Sequence, residues 1–313
     1  MIGCRGSCGH VSISTEKAYI NGNAMCLDNL SDSFIDKYLF YCLECYDFSQ
    51  IITGSSQPQI TRESLKKVKI PVISKELQVK IATVLDIASN LVDIRKRQLI
   101  KLDELIRARF IELFGNEKQF MFRANKRIAD VCESRVGIVI QPTQYYTNSS
   151  LGIRAFRSLN VKPFSINDSD WVYFSPEDNK KMSRTQVRAN DVAVVRSGVN
   201  LGDSCVIPFE YDGCNAIDIM LLTCNHSILP IYLASFINYP VGKKQILDSQ
   251  RGGAIKHLNL KQLENAMIYV PPMDLQEQFA AFVEQTDKSK LAVQRSLDKL
   301  EILKKSLMQK YFG

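Results

Sequence analysis

Two stretches of the chain repeat their apolar residues with a helical period. Over residues 76–114, Leu85, Val92, Leu99, Ile106 and Leu113 recur every seven positions, and Leu91, Leu102, Leu105 and Phe110 widen the stripe. Over residues 274–312, Leu297, Leu300, Leu303, Leu307 and Tyr311 do the same. Such spacing lines one face of a helix, and at ~1.5 Å per residue each helix would be roughly 55–60 Å long. The remaining positions are densely charged, as in DIRKRQ and LDKLEILKK. A single apolar stripe needs a partner surface. Two equal helices in one chain predict that they pair with each other as an antiparallel coiled coil, in preference to each lying on its own domain's core.

The two stretches are copies. At an offset of 198 residues, Gly54 falls on Gly252, Leu65 on Leu263, Ile70 on Ile268 and Leu77–Gln78 on Leu275–Gln276. Arg97, Leu99, Leu102, Leu105, Phe114 and Gly115 fall on Arg295, Leu297, Leu300, Leu303, Phe312 and Gly313, with no gap from Gly54 onward. Similar amphipathic helices would share leucines by chance, but not also the upstream glycine, the proline-containing entry and the Phe-Gly ending in register. A weaker echo extends forward: RGSCGH at Arg5 parallels RSGVNLG at Arg196, and Tyr19, Gly22, Asn23 and Ala24 parallel Tyr211, Gly213, Asn215 and Ala216.

Between the helices the period changes. IRAFRSLNV, WVYF, DVAVVRSG and CVIPF are short strand patterns, broken by NDSD, SPED and YDG. The fold class is therefore α+β: globular units of mixed strands and short helices alternating with two long helices. Residues 1–72 form a partial first unit, 73–115 the first long helix, 116–272 a complete second unit and 273–313 the second long helix. About eighty residues at the front of the second unit, from KRIADVCESRVGIVIQ to VRANDVAVV, have no counterpart in the first, so the chain reads as cut short at its front.

Charge and composition narrow the class. The net charge of +7 is uneven: residues 1–53 carry 3 basic and 6 acidic groups, whereas residues 54–115 carry 12 and 7. A mild basic excess permits a polyanionic partner without establishing one. No run of ~18 apolar residues is present, and MIGCRGSCGH lacks a signal pattern, which reads as a cytoplasmic chain with no membrane partner. The nine cysteines form no framework. Cys4, Cys8, Cys42 and Cys45 would suffice for zinc, but YLFYCLECYDF reads as a buried helix in which thiols pack as small hydrophobes, so no metal is expected.

DVAVVRSGVNLG is a strand running into a glycine loop. The stretch from Asp191 to Gly202 (D-x4-R-x-G-x3-G), the RGSCG at Arg5, the SQRGGAIKHLNLKQLENAMIYVPPMDLQEQ entry to the second helix and the two-fold cycle together resemble the specificity subunit of type I restriction–modification systems. The resemblance covers essentially the whole chain. It implies that each globular unit is a target recognition domain reading one half of a split double-stranded DNA sequence. It also implies that the coiled coil spaces the halves and docks methyltransferase subunits. S-adenosylmethionine, ATP and magnesium would then belong to the methyltransferase and restriction/motor partners, with no cofactor bound by this chain.

Phosphate contacts position and base contacts specify. Lys180, Lys181, Arg184, Arg188, Lys243 and Lys244 are the expected phosphate binders. Arg154, Arg157, Asn160, Arg196, Asn200 and Arg251 can make bidentate or edge contacts with bases. Ser55 and Gln57, and Lys256 and His257, sit in matching small polar loops before each long helix, and Arg5 opens the first glycine loop.

No catalytic site is legible. An adenine methyltransferase needs a polar residue ahead of a Pro-Pro-aromatic turn, and the lone Pro-Pro lies in VPPMD. Glu177, Asp178 and Lys180 are crowded into one loop, unlike the separated carboxylates of a metal nuclease. Two alternatives to a split-site reader stay open: a scaffold or decoy that binds methyltransferase subunits without sequence selectivity, and a homodimer reading a palindrome.

Overall fold

The computed structural model describes residues 1–14, 17–54, 57–247 and 257–313, so Ser55, Arg251 and Lys256 lie outside the described residues. Two helices of 40 residues, Lys75–Phe114 and Met273–Phe312, run through two compact units. The units do not follow the sequence repeat. The first comprises residues 1–101 and 289–313, the second residues 102–288. Among the described residues, no helix is long and apolar enough to cross a membrane.

In the first unit, Ile2–Gly3 pairs antiparallel with Ala24–Met25. The helix Asp36–Cys45 buries Leu39 and Leu43 against Ile2, Phe48, Ile51 and Ile60. Its Tyr38 and Tyr41 instead join Ile81 and Leu85 of the first long helix and Met308 of the second. Lys96 pairs with Glu301 at 3.0 Å. Residue numbers thus rise along one long helix as they fall along the other, as the periodicity predicts for an antiparallel pair. In the second unit Phe110 and Phe114 lie 5.6 and 5.5 Å from Phe279, with Ile106 and Val283 in the same core.

Leu85, Val92, Ile106 and Leu297 are buried in the seam, and Leu99, Leu102, Leu113, Leu300 and Leu307 are half-buried. Leu303 departs from its expected place: it is 50% exposed, while Met308 is buried at 8%. At ~3.6 residues per turn, Met308 comes back to within roughly 20° of Leu297, whereas Leu303 lies about a third of a turn away.

The repeat is legible in hydrogen bonds. Gln78, fully buried, accepts from the Ile35 N–H (2.9 Å) and donates to Ser33 O (2.7 Å) and Ile73 O (2.9 Å). Gln276, also fully buried, accepts from the Leu229 N–H (2.8 Å) and donates to Ser227 O (3.0 Å) and Pro271 O (2.9 Å). Each clasp ties the start of a long helix to the N-cap of the short helix packed on it, Asp36–Cys45 or Pro230–Asn238, and answers backbone groups that burial would otherwise leave unpaired. Likewise Tyr38 donates its hydroxyl to Pro71 O (3.1 Å) and Tyr232 to Tyr269 O (2.6 Å). Phe312 packs 5.5 Å from Tyr38, and Phe114 4.7 Å from Tyr232. Gly115 stops the first helix at φ +96°, where a side chain would be strained.

The second unit is built on a four-stranded antiparallel sheet in the order Ser204–Val206, Val192–Val195, Ile219–Cys224, Cys132–Val136. Val192, Val194, Met220 and Leu222 face the helix Pro230–Asn238, while Ala193, Val195, Ile219 and Leu221 face Phe156, Val161 and Cys205. Both faces are covered, which is why VAVV, Val192–Val195, reads as a continuous apolar run. A second sheet orders Asn215–Ala216, Ile153–Phe156, Val172–Phe174 and Tyr146–Thr147.

All nine cysteines are free thiols, and among the described residues no group of three or more His, Cys, Asp or Glu side chains could hold a metal. Burial, more than the neighbouring Cys45, pushes the Cys42 thiol up to about 11, and burial pushes Cys205 up to about 12. A raised thiol holds less reactive thiolate at a given pH. Iodoacetamide at pH 8 is therefore expected to label the exposed Cys26 long before Cys42 or Cys205, as read by peptide mass mapping of the native protein.

Candidate nucleic-acid interface

Val195 and Ile219 are opposed at one end of the central sheet, so Arg196 and Asp218 leave it side by side. The Arg196 guanidinium donates to Asp218 Oδ1 (2.8 Å) and, through Nε, to Leu258 O (3.3 Å), while Ser197 Oγ donates to Asp218 Oδ2 (2.8 Å). The Leu258 N–H closes the frame on Arg196 O at 2.7 Å, and Ser197 forms a β-bridge with His257. One Arg–carboxylate pair thus ties together three segments that the sequence scatters. Asp218 itself sits at φ +48°.

The frame presents a loop. Gly198, at φ +89°, opens it into free space and Gly202, at φ +76°, closes it beside Lys243 and Ile246. Val199 at the tip is fully exposed, and Asn200 is half-buried with its carbonyl accepting from the Asp203 N–H (3.0 Å). Ile138 forms a parallel bridge with Ile217, bringing the exposed Val139 and Ile140 to the same end. Lys243 is paired with Asp203. Arg196, Asn200, His257 and Lys243 are thereby gathered in one place, with Arg196 holding the loop rather than reaching beyond it.

The other candidates fall into separate groups. Arg154 lies over the rings of Trp171 (5.4 Å) and Tyr211 (5.6 Å). Asp168, 3.5 Å from Arg154, accepts from Trp171 Nε1 (2.7 Å) and the Tyr211 hydroxyl (3.1 Å). The Trp171 bond, followed by Tyr211 and Arg154, holds this carboxyl below its ordinary range. Arg157 pairs with Asp170 at 3.2 Å. Asn160 is fully buried, with its amide donating to Asn167 O and Ser169 O and its Oδ1 accepting from the Arg157 N–H, so it organises the turn instead of offering an edge to a base. Lys180 and Lys181 end the short helix Pro176–Lys181, and Arg184 follows in a 3-10 turn; all three are exposed. Lys181 is bonded to Glu177 (2.9 Å), which raises its pKa. Arg188 lies 3.7 Å from Glu133, and Lys244 3.1 Å from Glu117.

The first unit repeats the loop end with a corrected register. Arg5 bridges Gln59 as Ser197 bridges His257, and the Ile60 N–H donates to Cys4 O (3.0 Å) as Leu258 does to Arg196 O. Arg5 is therefore the counterpart of Ser197, and Cys4 that of Arg196. The two arginines align as letters but not in space, because the backbone ladder and not the side chain defines the register. Gly6 (φ +73°) and Gly9 (φ +83°) flank a loop one residue shorter than Gly198–Gly202. Gln57 is exposed.

The model of the type I restriction modification DNA specificity domain matches residues 1–104 and 124–301. The chain belongs to this family. It is 24% identical over 309 residues to the MjaIX specificity subunit of a type I restriction enzyme from Methanocaldococcus jannaschii, covering 89% of this chain and 68% of that one. It is 25% identical over 166 residues to the EcoBI specificity subunit of Escherichia coli, covering 51% of this chain and 35% of the relative. In fold it matches the S subunit of a type I restriction–modification system from M. genitalium, with a TM-score of 0.59 at 19% identity over the whole chain and 82% of that structure. A second structure, from work on complex assembly and conformational transition of the type I R-M system, gives 0.56 at 17% identity over 88% and 70%.

Within this DNA specificity domain, several organising residues carry no local signal. Asp218 is one acidic residue among 33 until the sheet sets it beside Arg196. Tyr211 lies 43 residues from Asp168 and reaches it, and the nearby Trp171, only in the folded unit. Gln78 and Gln276 were detectable as a matched polar pair inside an otherwise apolar repeat.

Proposed function

We propose that this specificity-family chain is the DNA-reading subunit of a type I restriction–modification complex. It reads a split target through the glycine-loop ends of its two units and docks methyltransferase subunits on the outer faces of its long helices. What carries the reading is the loop end built twice on the same backbone ladder, at Gly6–Gly9 and Gly198–Gly202. A loop held by a rigid sheet can vary its side chains without moving its base, and glycines let a backbone come close to a partner. Exposed Lys180, Lys181 and Arg184 supply the cationic surface that positions a duplex. On the first long helix, Ile87, Leu91 and Ile94 form an exposed apolar stripe away from the seam, of the kind that marks a protein interface. In this reading the chain contributes no catalytic group: S-adenosylmethionine, ATP and magnesium chemistry reside in the methyltransferase and restriction/motor subunits.

The test is co-expression with the partner methyltransferase, mapping of methylated adenines genome-wide, and DNA binding across a salt series. A bipartite motif is expected, with log K falling linearly in log salt. Lys180→Ala should weaken binding to all sequences and make the salt slope about one unit shallower. Asn200→Ala should relax selectivity at one base pair, a discrimination of about 1–3 kcal/mol. A single-half or mirrored motif would assign reading to the second unit alone, as in a homodimer. Methyltransferase binding with no sequence preference would favour the scaffold reading.

A further inference from the structure

Two thiols of the second unit face each other across its central sheet. Cys132 opens the strand Cys132–Val136, and Cys224 ends the strand Ile219–Cys224, directly opposite it in the register. Their sulfurs lie 3.9 Å apart, with the Cys132 thiol donating to Cys224 Sγ. Cys132 is buried in the core beneath the helix Pro230–Asn238, and Cys224 packs against the same core. Neither thiol enters the DNA-reading proposal.

Position in the ladder decides what such a pair can do. Along antiparallel strands, hydrogen-bonded and open pairs alternate. The Asn225 N–H donates to Val131 O (2.9 Å) just beyond the thiols, and the Gly137 N–H to Ile219 O (2.9 Å) at the other end of the ladder. Asn225 opposite Val131 is thus a hydrogen-bonded pair, and Cys224 opposite Cys132, the next rung, is an open one. Open pairs hold their Cα atoms ~4.5 Å apart with the side chains at their closest. That spacing lies inside the ~4.4–6.8 Å window of a disulfide, so the sulfurs can meet by side-chain rotation without strand movement. The two are not equivalent. Cys132 is 8% exposed, whereas Cys224 is half-buried. The hydrogen bond to Cys224, followed by burial, pushes the Cys132 thiol well above its ordinary range, which keeps it protonated. Cys224 is therefore the sulfur that an oxidant meets first.

We infer that Cys132 and Cys224 are an oxidation site, closing to a cross-strand disulfide with hydrogen peroxide as the oxidant. Cys224 attacks one peroxide oxygen, the O–O bond breaks, and the other oxygen leaves as water, giving a sulfenic acid at Cys224. Cys132 sulfur then attacks Cys224 sulfur. The S–O bond breaks, and the hydroxyl leaves as water with the Cys132 proton. Two thiols lose two electrons, and one peroxide becomes two waters. The bond joins positions 92 residues apart, and the glycine loop, the second sheet and Trp171 all lie between them. Such a link removes conformational freedom from the unfolded chain. A Cα spacing at the short edge of the window strains the bond and makes it readily reduced, the character of a responsive rather than a structural disulfide. The inference goes beyond DNA reading and stands whether or not the loops bind DNA.

The test treats the whole native protein with hydrogen peroxide and maps its peptides without reduction by mass spectrometry. A linked pair carrying Cys132 and Cys224 is expected, lighter by two hydrogen atoms than the two reduced peptides together, and lost on treatment with reduced glutathione. In Cys132→Ala the sulfenic acid has no resolving thiol, so dimedone should label Cys224 in that variant and not in the unchanged protein. Thermal unfolding followed by Trp171 emission should shift upward by about 5–15 °C on oxidation, and this shift should vanish in Cys132→Ala and in Cys224→Ser. The dimedone label does not depend on the melting readout, so a destabilised variant still tests the chemistry. Oxidation confined to the exposed Cys26, Cys224 driven to sulfinic acid without the linked peptide, or a linked protein that melts no later than the reduced one overturns the inference.

Discussion

Gln276→Met is expected to destabilise the second unit by about 3–5 kcal/mol. Methionine nearly matches glutamine in length and volume, so the change deletes hydrogen bonds without opening a cavity. It strands the Leu229 N–H and the carbonyls of Ser227 and Pro271, each bonded to the buried Gln276 amide. A buried backbone group left without a partner costs about 1–3 kcal/mol, and partial relaxation keeps the sum toward the lower end. The readout is convenient because Trp171 is the chain's single tryptophan and lies in the second unit. Its emission during urea denaturation should show the earlier midpoint. A loss below about 1 kcal/mol would mean that water reaches the three groups. Gln78→Met should act in the same way on the first unit, read as faster amide hydrogen exchange in the helix Asp36–Cys45.

Asp191→Ala is the second large effect. The carboxylate is wholly buried and is the hub of the strand that leads to the glycine loop: Oδ1 accepts from Thr223 Oγ1 (2.6 Å), and Oδ2 from the Arg188 N–H (2.7 Å) and from Arg135. Removing it leaves the Arg135 guanidinium, itself mostly buried, without its counter-charge. Breaking a buried pair from one side costs about 3–5 kcal/mol, while replacing both partners with apolar groups is often close to neutral. The double variant Asp191→Leu, Arg135→Met should therefore regain much of the loss on the same Trp171 readout. A double variant no better than Asp191→Ala would place the cost in the Thr223 and Arg188 bonds instead of the stranded charge.

These residues also show what the sequence could and could not tell. The long helices, their pairing and the α+β units were legible because heptad spacing and a 198-residue copy are one-dimensional signals. Asp191 was visible as the first residue of a motif, but not as an anchor, because its partners Arg135 and Thr223 lie 56 and 32 residues away. Asn160 looked like a base reader for its amide, and the fold turns that amide inward on its own loop. Leu303 misled because leucines at spacings of three and four widen a stripe beyond what one partner helix can cover. Arg5 and Arg196 aligned as letters while the ladder set Arg5 against Ser197.

The last consequence concerns how such a molecule can be divided. The duplication boundary falls near Gly115, yet residues 289–313 complete the first compact unit and residues 102–115 belong to the second. A polypeptide severed between its two repeats would leave each piece without a stretch of helix that it borrows from the other. Heredity copied one segment, but the cooperative bodies are stitched from both copies, so the two halves are bound to persist or fail as a couple.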